Sequence, residues 1–162
     1  MLATVLTLAA FAAAGLASGG AAAPRRTPSR DDAVSSAALR AAEVLSAWDQ
    51  RRAAAWADGD AGRLARLYTS GSRTGARDVA ELRRWHRRGL RVVGLRQQVA
   101  ALRLRVPSSH SLVLTVTDRT VDGIAVGRRR TALPTSAWVT HRIRLRRFHG
   151  RWLVDEVAQP AR

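Results

Sequence analysis

The 162-residue chain carries 28 basic side chains, all of them Arg, against 12 acidic ones, for a formal net charge of +16. At 46% apolar residues it has material for one packed domain and not two, and wholesale disorder is excluded. It contains no cysteine, which excludes disulfides, thiolate metal sites, a cysteine nucleophile and a lipidated cysteine anchor, and leaves packing alone to hold the fold.

Replacement of every Lys by Arg reads as codon bias from a GC-rich genome. The shortage of acids does not, since codon bias does not delete them. A surface of this sign attracts polyanions such as nucleic acid, anionic headgroups or phosphate-bearing wall polymers, or else serves solubility alone.

Residues 1–23 carry no charge. An apolar run from Met1 to Ser18 is followed by small residues ending in an Ala21-x-Ala23 pattern, the form of a signal peptide. The run also approaches the ~20 residues that span a bilayer, so an uncleaved membrane tether is the alternative. No basic residue precedes Leu2, and Pro24 follows the expected cut, which moves cleavage a few residues earlier. Either way the domain is expected to be secreted or extracytoplasmic. Residues 24–32 read as a polar linker, 33–158 as the domain and 159–162 as a tail.

Within the domain, Asp31 or Asp32 is expected to cap a long helix. Along it Val34, Ala38, Ala41, Leu45, Trp48, Ala55 and Trp56 recur at helical spacing to about Ala57. Gly59 stops it, and Asp60 caps a short second helix with Leu64, Leu67 and Tyr68 on one face. A third helix runs from about Ala76 to Arg88, with Val79, Leu82 and Trp85/His86 inward, and ends at Gly89. The period then changes to two, and strands are predicted over 95–106, 110–119, 121–127, 137–148 and 151–158, with a tight turn at His149-Gly150. Helices first and strands after predict an α+β class: three N-terminal helices on a curved, mostly antiparallel sheet of about four to five strands.

Three segments carry a family likeness: Trp56-Ala57-Asp58-Gly59-Asp60 closing the first helix, Leu64-Ala65-Arg66-Leu67-Tyr68 in the second, and Gly150-Arg151-Trp152-Leu153-Val154 in the last strand. In this order the chain resembles the nuclear transport factor 2-like superfamily, with its SnoaL-like cyclases and ketosteroid isomerases, as an exported actinobacterial-type member. The resemblance covers roughly residues 36–158. It implies a cone in which the curved sheet wraps the long helix and leaves a pocket at the wide end. Members range from enzymes to proteins without activity, so the likeness does not settle function. A carboxylate base facing a Tyr/Asp oxyanion hole cannot be placed in this sequence, and Tyr68 matches a packing position of the superfamily.

Strand alternation puts His141 on the face of Val139, Ile143 and Leu145, and Asp118 at the end of the Leu112/Leu114/Val116 face. If those strands pair, the two side chains meet. A His–Asp pair in a pocket can do general acid–base chemistry, because a carboxylate fixes the tautomer of a ring that titrates near neutrality. The alternative is a hydrogen-bonded core histidine beside a strand-end aspartate. Trp48, Asp49, Tyr68 and His86 are the candidate pocket-lining residues, or else boundary residues of the helices. The four histidines have no metal-ligand spacing, and no phosphate loop or Gly-x-Ser-x-Gly elbow occurs, so no metal or cofactor is expected.

Arg103 and Arg105 on one strand, and Arg142, Arg144 and Arg146 on another, form an expected anion-binding face opposite the helices. From residue 90 onward there are 14 Arg against four acids, so these arginines repel one another unless acids or an external anion intervene. The primary expectation is therefore a non-catalytic exported domain that binds a small apolar ligand in its pocket, or an anionic envelope component on its Arg-rich face. The alternative is a SnoaL-like isomerase, cyclase or hydrolase acting on a small apolar substrate, with His141 and Asp118 as acid and base. Nucleic-acid binding stands third: charge favours it, while export and the lack of any recognition motif disfavour it.

Overall fold

The computed structural model describes residues 30–159. The expected signal or anchor segment (1–23), most of the expected linker and residues 160–162 of the tail lie outside the described residues. Eight elements follow in order: α1 (Arg30–Asp58), α2 (Ala61–Ala65), α3 (Arg73–Arg87), β1 (Arg91–Pro107), β2 (Ser111–Val126), β3 (Arg130–Ala132), β4 (Val139–Phe148) and β5 (Arg151–Ala158). The strands form one antiparallel sheet in the order β1-β2-β4-β5, with β3 paired to β2. Three helices packed on an antiparallel five-stranded sheet make this an α+β fold. Among the described residues no helix is long and apolar enough to cross a membrane.

Local chemistry fixes the helix ends. Asp60 caps α2 by accepting from the Arg63 amide at 2.7 Å, and Ser72 caps α3 by accepting from the Gly75 amide at 3.1 Å. Gly59 leaves α1 at φ +69°, a conformation that strains any residue with a Cβ. α1 starts at Arg30, inside the stretch read as linker, so Asp31 and Asp32 lie in its first turn rather than before it.

One stripe of α1 faces inward: Ala41, Leu45, Trp48, Asp49, Arg52, Ala55 and Trp56 are all buried. It meets the inner face of the sheet, where Leu112, Leu114 and Val116 of β2, Ile143 and Leu145 of β4 and Val154 of β5 are buried. Leu64, Leu67, Val79 and Leu82 close the same core from α2 and α3.

The sheet departs from regular register at five places, four between β1 and β2 and one at Asp155 between β4 and β5. Gly94, Ala100 and Arg105 on β1 and Val121 on β2 are each extra residues in the β1–β2 register. Bulges of this kind bend a strand and raise its twist. The segments 110–119 and 121–127, expected as two strands, are the single strand β2, and the break in periodicity between them is the Val121 bulge. The β4–β5 hairpin turns through His149 (φ +46°) and Gly150 (φ +78°), the paired positive φ of a type I′ turn.

Gly75 sits beneath Tyr68 so closely that a Cβ there would lie 2.5 Å from the ring. Gly75→Ala is therefore expected to lower the unfolding free energy by about 1–3 kcal/mol through overpacking, read as a shift in the urea midpoint with the slope unchanged.

Candidate functional site

The interior between α1 and the sheet is not uniformly apolar. Asp49 and Arg52 from α1, Gln97 from β1, and Asp118 and Thr120 from β2 are all buried. Their neighbours divide them into two groups with opposite properties.

In the first group every polar atom is engaged through Asp78 of α3. Its Oδ2 accepts from Arg52 Nε at 2.7 Å and from the Tyr68 hydroxyl at 2.6 Å. Its Oδ1 accepts from the Arg52 terminal nitrogen at 2.6 Å and from Trp56 Nε1 at 3.2 Å. A bidentate fork of this kind is the strong form of an Arg–carboxylate pair. Burial works against the Arg52 charge, but the Asp78 carboxylate outweighs it and holds the guanidinium firmly protonated. Burial likewise pushes the Tyr68 hydroxyl well above its usual range. Trp48 Nε1 donates to the Leu67 carbonyl at 2.8 Å, and its ring packs edge-on against Tyr68. Trp48 and Tyr68, expected to line a pocket, thus spend their polar atoms on the protein itself and act as walls.

In the second group, around Asp49, Gln97 and Asp118, some polar atoms are left over. β2 and β4 pair so that Val116 faces His141 and Asp118 faces Val139, which sets Asp118 and His141 diagonally on the inner face. The His141 Nε2–Asp118 Oδ1 distance is 2.9 Å, with the Asp118 side chain 2% exposed and that of His141 16% exposed. The sequence-predicted pair is therefore formed. The second Asp118 oxygen, Asp49 Oδ2 and both amide atoms of Gln97 are buried with no hydrogen-bond partner on the protein. Burial, foremost, raises the Asp49 carboxyl well above its usual range. Arg52 opposes this, and the Asp118 and Asp78 carboxylates add to it. Asp49 is thus biased toward its neutral, proton-donating form.

His86, the remaining expected pocket residue, is a correction. It is exposed on the last turn of α3, where its ring lies against Gly59 at the α1–α2 corner. The inward stripe of α3 runs through Gly75, Asp78, Val79 and Leu82; His86 continues it by spacing but lies beyond the end of the core. Arg52, Asp78 and Gln97 are site residues the sequence reading missed. Among the described residues no group of three or more His, Asp or Glu could hold a metal ion.

The outer face of the sheet holds the expected arginines. Arg103 on β1 and Arg142 on β4 flank Thr115 of β2 in one cross-strand row, and Arg105 occupies a bulge. Arg144 lies 3.6 Å from both Asp155 and Glu156, and Arg146 lies 3.1 Å from Asp155. Although burial works the other way, the Thr69 hydroxyl, then Arg146 and Arg144, hold the Asp155 carboxyl below its usual range. Acids on β5 therefore neutralise part of the ladder. Among the described residues Arg103, Arg105 and Arg142 have no ion-pair partner.

No protein-family model matches the sequence, and no curated protein is significantly similar to it. Solved structures do share its fold. The intermembrane-space region of the chloroplast protein ARC6 superposes with a TM-score of 0.56 at 14% identity, over 77% of this chain and 97% of that one. Aln2 from a Streptomyces species matches with a TM-score of 0.52 at 12% identity, over 74% and 88%. A protein from Catenulispora acidiphila matches at 0.50 and 19% identity, over 76% and 91%. Weaker likenesses include a Caulobacter vibrioides protein with a cystatin-like fold and a Streptomyces avermitilis protein of the NTF2-like family. At these identities the likeness is one of fold.

Asp49 generates a pH prediction. Its folded-state pKa is raised, so the folded state keeps a proton that the unfolded chain releases above about pH 4. Stability falls as pH rises from there toward the folded pKa. Asp49→Asn keeps the shape and removes the titration. It is expected to be more stable than the parent at pH 7, with the difference closing by about pH 4, measured as paired urea midpoints across that range.

Proposed function

We propose that this protein is a non-catalytic, extracytoplasmic ligand-binding domain of the cone-shaped type, which holds a small, largely apolar molecule between α1 and the sheet. The observation that carries the reading is the set of four buried side-chain atoms without partners: Asp49 Oδ2, Asp118 Oδ2 and the two amide atoms of Gln97. Each such atom costs about 1–3 kcal/mol when left unmatched. A guest with one carbonyl and one hydroxyl could accept a hydrogen bond from Asp49 or the Gln97 amide and donate one to Asp118. The surrounding Leu114, Val116 and Ile143 would hold its apolar body.

A second reading is supported by the His141–Asp118 pair itself, in which a half-screened imidazole is oriented by a buried carboxylate. This is the arrangement an acid–base enzyme of the SnoaL-like kind would use on the same guest. The outer face supports a further role within the first reading. Arg103, Arg105 and Arg142 are the arginines best suited to an anionic envelope component, since no acid of the described residues meets them.

The pocket reading is tested by titrating the full-length protein with the uncharged probes 2-naphthol and 1-tetralone, following heat release. Saturable one-to-one binding, weakened at least tenfold in Gln97→Leu, is the expected outcome. A parent protein that binds neither, or a Gln97→Leu variant that binds both equally well, would contradict it.

A further inference from the structure

A second concavity lies apart from the buried cluster, where the end of α3 meets the β2–β3 turn. It has a volume of about 830 Å³, within the usual range for small-molecule clefts. Its floor is apolar, made by Trp85, Leu90 and Leu133, and its rim carries Arg88, Arg128 and Arg129.

The backbone explains why these residues meet. Arg88 caps α3, and the Leu90 amide returns to the Trp85 carbonyl at 3.0 Å, which folds Leu90 back under the helix end. Gly127 packs against it so tightly that a Cβ there would lie 2.6 Å from Leu90 Cδ2 and 3.3 Å from the Gly89 carbonyl. That contact draws the turn bearing Arg128 and Arg129 toward Arg88. On the far side the Leu133 amide donates to the Gly123 carbonyl at 2.8 Å and lays Leu133 over β2. Trp85 is backed by Trp56, with ring centroids 6.4 Å apart.

The charge is uncompensated. No acid lines the cleft, and among the described residues none of the three guanidiniums has an ion-pair partner. Arg144 and Arg146 on the outer sheet, by contrast, are served by Asp155 and Glu156. Arg88 has a local role at a helix C-terminus, but Arg128 and Arg129 sit at no helix end. Like charges gathered over an apolar floor are complementary to one chemistry: an apolar chain with an anionic head, the chain on the floor and the head between the guanidiniums.

We propose that this cleft binds a free single-chain amphiphile with a carboxylate head, of the fatty-acid class. Its residues are separate from those of the inner pocket, so either site can fail without the other.

The test is calorimetric titration of the full-length protein with decanoate, decanol and decyltrimethylammonium, each below its micelle concentration. One-to-one binding of decanoate at least tenfold tighter than decanol is expected, with decyltrimethylammonium weaker still. The triple variant Arg88→Gln/Arg128→Gln/Arg129→Gln is expected to lose that preference and keep the decanol affinity. A control, Arg103→Gln/Arg105→Gln/Arg142→Gln, removes the same charge from the outer sheet and is expected to keep the preference. Equal affinity for the three amphiphiles, equal loss in both triple variants, or binding to anionic-lipid vesicles but not to monomeric decanoate would overturn the proposal.

Discussion

The Arg52–Asp78 pair is the interaction on which the rest of the structure depends. A guanidinium taken out of water costs several kcal/mol unless a well-aligned anion meets it, so α1 can bury this face only where α3 supplies Asp78. The same carboxylate receives Trp56 from α1 and Tyr68 from the segment after α2. One side chain thereby sets the spacing of all three helices above the sheet. Tyr68 in turn packs over Gly75 and bridges to Val154, which ties the helical layer to β5. The pair also leaves a positive charge one helical turn from Asp49, where it partly offsets the upward push of burial on the Asp49 carboxyl.

This arrangement separates structural polarity from available polarity. Atoms around Asp78 are matched within the protein and lock the fold. Atoms around Asp118, Asp49 and Gln97 are only partly matched, between α1 and the bent β1–β2 pair. Partly satisfied polar groups in a core are an energetic burden that a purely structural interior would replace with apolar side chains. Their retention next to an oriented His141 is what gives the interior its chemical character. The surface divides in the same way: Arg144 and Arg146 are held by β5 acids, while Arg88, Arg128 and Arg129 surround a cleft that contains none.

Much of this was legible in the sequence because it rests on local periodicity. The three helices, the Asp60 cap, and the inward rows of β2 and β4 follow from spacing; the start of α3 did not, since Ser72 caps the helix at Arg73, three residues before the expected Ala76. The His141–Asp118 contact followed once β2 and β4 were taken as neighbours. What escaped has specific causes. Arg52 falls on the stripe of Leu45, Trp48, Ala55 and Trp56, and Asp78 on that of Gly75, Val79 and Leu82; a charge on each of two facing stripes was the available signal that they pair. Gln97 was hidden by bulges. Counted back from Leu102 and Leu104, alternation turns it outward, but the extra residue Ala100 shifts the parity and turns it in. His86 failed for the opposite reason: it extends a helical stripe beyond the end of the core.

Burial raises the Asp49 carboxyl toward its neutral form, and the proposed binding of a guest rests most heavily on that group. Infrared spectroscopy of the full-length protein at pH 7, compared with Asp49→Asn, tests this most directly. A protonated-carboxyl C=O stretch is expected in the parent, absent from the variant and shifted when 2-naphthol is bound. A parent spectrum at pH 7 showing only ionised carboxylates would contradict it.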